Sequence, residues 1–255
     1  MKKILYTLVV IVAATLSASA QNRVQDSLWQ AGNDSYAMGN FTSAIESYNK
    51  ILDGGYESAK LYYNLGNSYY RVKNMVKAVV YYKKALKLDP SNADAKANLA
   101  MAKARCVDKI EQVPEFMVVT WIKNVRDLLS SDSWAGIGIA AMVVLCIISL
   151  FFRYAIKRSR GKTVAFILWV VAFAVVVISF ASSVSAYNKA KGGGEAVVVS
   201  AVGSIKSSPS QDGNPIFILH EGTEVKLLET VEDWCKIEIA DGRQGWVKSS
   251  DLEMI

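Results

Sequence analysis

A single histidine, His220, and three cysteines, Cys106, Cys146 and Cys235, supply all the imidazole and thiol chemistry in 255 residues. These four side chains are scattered without ligand spacing, and Cys146 lies inside an uncharged apolar stretch, so the set excludes Cys/His zinc clusters and any multi-histidine metal centre. His220 is then the one candidate imidazole base. It stands beside Glu221 at an expected strand end, where the reading is a hydrogen-bonded structural histidine. No nucleophile elbow, phosphate-cradling glycine loop or metal-ligand spacing occurs. The expectation is a protein that is not an enzyme, with no catalytic residues, no metal site and no cofactor. The chemistry on offer is instead that of binding. Side-chain amides at Asn33, Asn64, Asn67 and Asn98 are interleaved with the rings of Trp29, Tyr36, Tyr63 and Tyr70, and joined by Lys60 and Met101. Amides can pair with the backbone of an extended peptide, and rings can pack on its side chains.

The elements that carry these residues repeat. Gly32 and Gly66, Asn33 and Asn67, Ala44 and Ala78, and Tyr48 and Tyr82 all stand 34 positions apart. The second unit, AKLYYNLGNSYYRVKNMVKAVVYYKKALKLDP, has Tyr62, Leu65-Gly66, Tyr69, Ala78, Tyr82, Ala85 and Pro90 at the spacings of the tetratricopeptide repeat, which it resembles. The first unit keeps Gly32, Ala44 and Tyr48 but has Ser35 and Tyr56 where that pattern has tyrosine and proline. One further helix, Ala93 to Lys109, reads as a solvating cap. Gly66 and Ala78 are expected to let two antiparallel helices approach. Tyr69, Tyr82 and Ala85 fill the space between them, and Pro90 ends the second helix.

In such arrays the first helix of each unit lines the concave face. That face would present Trp29, Asn33 and Tyr36, then Lys60, Tyr63, Asn64, Asn67 and Tyr70, then Asn98 and Met101. Two readings remain open: a groove for a peptide, or a surface covered by another part of the chain. A clamp for a terminal carboxylate lacks its basic partners, since Trp29 and Asp94 occupy two of their places. Solenoids generally need about three repeats. An array of two and a cap should therefore lean on a second domain or a partner.

The remaining elements place this array at a membrane. Residues 1–20 read as a signal peptide: Lys2 and Lys3, an apolar run from Ile4 to Leu16, and Ala18-Ser19-Ala20 for cleavage. Residues 133–152 and 164–186 are apolar stretches without charge from Trp134 to Phe152 and from Val164 to Ala186, each long enough to cross a hydrocarbon core of roughly 30 Å. Between them, residues 153–163 hold Arg153, Lys157, Arg158, Arg160 and Lys162 and no acid. Short loops of this kind stay in the cytoplasm, which puts both flanks on the exported side. Residues 113–132 form an amphipathic segment with Met117, Trp121, Val125, Leu128 and Leu129 on one stripe. It either lies on the membrane surface or packs as the last helix of the array.

Residues 187–194 read as a linker ending in glycines. From residue 195 to 255 the pattern turns to short β-branched strands separated by Gly, Pro, Asp and Ser. HEGTEVKLLE, DWCKIEI, DGRQGWV and SSDLEMI resemble a bacterial SH3-like domain, carried by Gly222, Trp234, Gly242, Gly245 and Trp246. Asp241-Gly242 marks a hairpin turn, and Trp234, Ile237 and Val247 are assigned to the core. The first strand region has no aromatic residue, so recognition of proline motifs is not expected. A juxtamembrane protein partner is the leading reading, and cell-wall peptide the alternative. Cys106 and Cys235 share the oxidising side, but a cap helix and a barrel strand give no reason to pair.

The fold class is thus a multidomain membrane protein: an all-α tetratricopeptide helical array over residues 21–112, two transmembrane helices, and a C-terminal all-β SH3-like barrel. That order of parts resembles the Bacteroides aerotolerance (Bat) proteins. The resemblance implies an inner-membrane protein with periplasmic modules. Its implied partners are other Bat membrane proteins with von Willebrand factor A-type domains, a MoxR-type ATPase across the membrane, and the lipid bilayer. The net charge of +6 does not imply nucleic acid, because the basic excess is concentrated in the signal peptide and the eleven-residue loop. Residues 21–132 hold 15 basic and 12 acidic residues, and residues 187–255 hold 7 and 11. Opposite signs predict contact between array and barrel.

Overall fold

The computed structural model describes residues 24–110, 116–154, 159–192 and 194–255. The expected signal peptide lies outside them, as do Lys157 and Arg158. The helical array comprises α1 (24–37), α2 (Phe41–Asp53), α3 (Ala59–Arg71), α4 (Met75–Leu88) and α5 (Ala93–Lys103). Three of these helices begin on side-chain caps. Ser58 accepts from Leu61 N–H, Asn74 from Lys77 N–H and Asn92 from Ala95 N–H, each satisfying a donor the helix itself cannot. The two repeat glycines allow ring-to-backbone contact. A Cβ on Gly32 would stand 2.5 Å from the Tyr48 ring, and one on Gly66 would stand 2.6 Å from the Tyr82 ring. Tyr48, Leu65, Ala78, Tyr82 and Ala85 are fully buried around these crossings.

Helix α6 (Met117–Arg126) buries none of its residues. It packs against α8 near its C-terminal end. Its stripe stays open, with Met117 87% and Trp121 66% exposed. Helices α7 (Ser131–Tyr154) and α8 (Ser159–Lys191) form an antiparallel pair, both long and apolar enough to cross a membrane. Ser131 and Ser183 exchange hydroxyl-to-carbonyl hydrogen bonds at one end, at 3.3 and 3.0 Å. Near the other end Trp169 Nε1 donates to Ser149 Oγ at 2.9 Å. Their outward side chains, Ile139, Leu150, Phe166 and Val171 among them, are exposed along the whole pair. One boundary needs correction. Tyr187 to Lys191, expected as linker, continue α8, because hydropathy falls there but no helix breaker occurs before Gly192.

The C-terminal domain is a seven-stranded antiparallel sheet in the order β3-β2-β6-β5-β4-β1-β7. The strands are β1 (Glu195–Val198), β2 (Val202–Lys206), β3 (Pro215–His220), β4 (Glu224–Val231), β5 (Trp234–Glu238), β6 (Gln244–Lys248) and β7 (Leu252–Met254). Bulges at Leu227/Glu229 and Ile205/Lys206 bend the sheet around its core. That core is Val198, Ile205, Leu219, Cys235, Ile237 and Val247, with Trp234 also buried. Gly242, at φ +88°, turns β5 into β6 as the Asp-Gly pair predicts.

Array and barrel share one core. Val76, Val79 and Val80 of α4, with Ala102 of α5, enclose Val197 of β1 and Ile255. Around this seam Lys77 meets Glu253 at 2.7 Å, and Lys83 meets Glu195 at 2.8 Å and Glu224 at 3.3 Å. Lys103 stands 3.2 Å from the other Glu224 oxygen, in ion-pair range but off hydrogen-bonding angle. The short array does lean on a second domain, and the opposite charges of the two modules lie in register. The three cysteines are free. Cap and barrel do meet, yet Cys106 and Cys235 stay apart. Cys106 Sγ lies 2.5 Å from where a Cβ on Gly222 would stand, while Cys235 is sealed in the barrel core.

Candidate functional site

The first helices α1, α3 and α5 are tied side by side through a ladder of amides and phenols. In the first rung Asn33 Oδ1 accepts from Tyr48 OH at 2.8 Å and from Asn64 Nδ2 at 3.1 Å. In the second, Asn67 Oδ1 accepts from Tyr82 OH at 2.8 Å and from Asn98 Nδ2 at 2.9 Å. Each member of the second rung stands 34 positions after its counterpart in the first, so the ladder follows the sequence repeat. Burial pushes the Tyr48 and Tyr82 phenols up from their ordinary range, so both stay neutral donors.

The rungs use only half of each amide. Among the described residues Asn33 Nδ2 and Asn67 Nδ2 donate to no protein atom, and Asn64 Oδ1 and Asn98 Oδ1 accept from none. All four side chains are half-buried. Each rung therefore retains an unused amide NH2 group and one carbonyl acceptor, able to pair with both groups of a peptide unit.

The other expected groove residues flank these rungs. Trp29 packs on Tyr48 with ring centroids 5.7 Å apart, and Lys60 Nζ lies 5.4 Å from the Trp29 ring centroid. Tyr36 meets Phe41 edge-on at 5.3 Å. Tyr63 accepts from Asn98 at 3.3 Å, Tyr70 lies under the Arg105 guanidinium at 4.8 Å, and Met101 is exposed. Sequence reasoning missed three contributors. Tyr82 reads from the sequence as packing and Tyr48 only as a repeat position, yet their hydroxyls hold the amides. Arg105 stands 34 positions after Arg71, which covers Phe41 at 4.4 Å. The signal was the 15-residue step from asparagine to tyrosine, present twice.

The barrel offers less open chemistry. Lys206 and Lys248 lie 5.4 and 5.9 Å from the Trp234 ring centroid, and Arg243 lies 4.7 Å from that of Phe217. His220 belongs to the seam. Its backbone N–H donates to Asp108 Oδ2 at 2.7 Å, its Nδ1 lies 2.8 Å from Oδ1, and Thr223 Oγ1 donates to Oδ2 at 2.8 Å. Burial alone would raise the Asp108 carboxyl, but these hydrogen bonds outweigh it and hold the group below its ordinary value. A depressed carboxyl stabilises the fold fully above its unfolded value of about 3.9. That contribution is lost as the pH falls through the lowered value. Urea unfolding across pH 2 to 6 should show an acid-labile component that Asp108→Asn abolishes; identical profiles for both proteins would contradict this.

Of the basic residues between the apolar helices, Arg153 and Lys162 are exposed at the ends of α7 and α8, and Arg160 falls in the first turn of α8. Among the described residues no group of three or more His, Cys, Asp or Glu is arranged to hold a metal ion.

Comparison with known proteins bears on the two modules separately. Residues 59–92 match the family model "Tetratricopeptide repeat", and residues 200–253 match "Bacterial SH3 domain". A search of curated proteins found no match. Among solved structures, "Crystal structure of MamA protein" is similar at 18% identity over 66% of this chain and 91% of that one, with a TM-score of 0.32. The chain therefore joins a tetratricopeptide repeat and a bacterial SH3 domain, both modules of protein interaction or binding, through two long apolar helices.

Proposed function

We propose that the protein is a membrane-anchored, non-enzymatic adaptor whose repeat module takes an extended segment of a protein partner. The observation that carries this reading is the division of faces. The barrel docks on α4 and the end of α5, while the half-used amide rungs of α1, α3 and α5 are left uncovered by it. A groove meant only for internal packing would have its amides consumed. The exposed apolar pair α7/α8 supports a two-span anchor, and its hairpin brings both modules to the same side. With the basic residues at the opposite turn, that side is the exported one.

The order of parts, which resembles that of BatE in the Bat family, extends the reading to an inner-membrane assembly with von Willebrand factor A-type partners. Photo-crosslinkers at Trp29 and Tyr63 in living cells, followed by mass spectrometry, test it. Recovery of membrane proteins with such domains from both positions, and not from exposed Lys50 on α2, is expected. Capture of cell-wall peptide by residues 195–255 in a sacculus pull-down, with no protein crosslinked from the groove, would overturn it in favour of wall binding.

A further inference from the structure

A cavity of about 580 Å³ opens where the array, the barrel, α6 and the end of α8 converge. Its walls carry Lys83, Lys87, Lys96, Lys189 and Lys226 against two carboxylates, Asp127 and Glu195. Leu86 and Leu99 supply an apolar side. We infer that this cavity holds the headgroup phosphate of an anionic phospholipid from the leaflet beside the two modules, an inference that rests on the spanning role of α7 and α8.

Three observations converge on that ligand. The first is uncompensated charge. Lys83 is matched by Glu195 and Glu224, Lys189 by Asp127 at 2.9 Å, and Lys226 more loosely by Glu238 at 3.9 Å. Lys87 donates only to the main-chain oxygen of Ile255, and Lys96 has no partner among the described residues. Burial lowers the Lys87 ammonium from its ordinary range, and the attraction of Glu195 does not fully offset it. An anion in the cavity answers both lysines.

The second is depth. Lys189 stands three residues beyond Ala186, the end of the uncharged run, and so about 5 Å further along the helix. That is the level of lipid headgroups rather than of acyl chains or bulk water. The third is the surface beside the cavity. Asn124 and Asp127 connect it to α6, whose exposed Met117 and Trp121 suit the membrane interface. A phosphate drawn in among the lysines keeps its glycerol against Leu86 and Leu99 and its acyl chains in the bilayer.

The test uses the full chain in nanodiscs of phosphatidylcholine with a minor fraction of phosphatidylglycerol of identical acyl chains. Native mass spectrometry counts the lipid retained on release. Wild-type protein should keep phosphatidylglycerol in preference to phosphatidylcholine. Lys96→Glu/Lys226→Glu should cut that retention by tenfold or more, from about 1 kcal/mol per basic residue near an anionic headgroup. Lys50→Glu/Lys73→Glu, with the same net charge but remote from the cavity, should not. Equal retention of the two lipids, or equal loss in both variants, overturns the inference. Displacement of the lipid by inorganic phosphate alone makes the site one for free anions and also overturns it. Failure of the wild-type chain to enter nanodiscs at all overturns the spanning reading instead, and the inference with it.

Discussion

Lys83→Glu separates the barrel from the array. The ammonium of Lys83 sits between Glu195 at 2.8 Å and Glu224 at 3.3 Å, with its side chain only 21% exposed. Reversal places three carboxylates together at a seam that is already partly dry. Removing one partner from a buried, hydrogen-bonded charge pair typically costs 2–5 kcal/mol. Residual solvent at this seam screens the effect to about 3 kcal/mol. The array cannot absorb that loss, because Val79 and Val80 are covered by Val197 and Ile255 of the barrel. A fall of roughly 10 °C or more in the melting temperature is expected. New protease cleavage should appear at the seam, and solution scattering should show a more extended particle. High salt should move wild-type protein part of the way toward the same state. A variant as compact and heat-stable as wild type would show that the apolar seam holds without the ion pairs.

The second large effect concerns Tyr82, whose ring and hydroxyl have separable roles. The ring lies against Gly66 with 1% exposure and fills the crossing of α3 and α4. Tyr82→Ala empties that space and should cost about 3–5 kcal/mol, enough to unfold so short an array. Tyr82→Phe keeps the packing and removes one donor to Asn67, for about 1 kcal/mol. The two variants therefore dissociate fold from site. Denaturant unfolding should show a collapse in stability for alanine and a small shift for phenylalanine. Partner crosslinking from Tyr63 should fall in the phenylalanine variant, because the Asn67 amide is then held by Asn98 alone and can rotate. Equal destabilisation by both substitutions would mean that the hydroxyl, not the ring, dominates the crossing.

These two residues mark what the chain reveals before it folds and what it does not. The repeat is legible because Gly66, Ala78 and Tyr82 recur at a fixed spacing set by the geometry of paired helices. Trp234, Ile237 and Val247 are legible as core because strands alternate. The ladder was only half legible. Its asparagines stood out as polar residues among rings, but Tyr82 read as filler, since nothing in a linear spacing shows that a buried ring also aims its hydroxyl. The seam was legible as a shortage of repeats and a difference in net charge, but not residue by residue. Lys83 and Glu195 lie 112 positions apart, and no local pattern pairs them. Tyr187 to Lys191 were misplaced for another reason. Hydropathy marks where a chain leaves an apolar environment, whereas a helix ends at a breaker, here Gly192.

That last difference changes the mechanics of the molecule. Because α8 runs unbroken to Lys191, only residues 192–194 separate it from β1, the strand that bears on α4. Under the proposed function, a pull on a segment held in the groove would pass through α4 into β1 and then into a helical shaft. Grip and anchor lie on one short load path, so force on the partner tilts the shaft instead of reeling out slack.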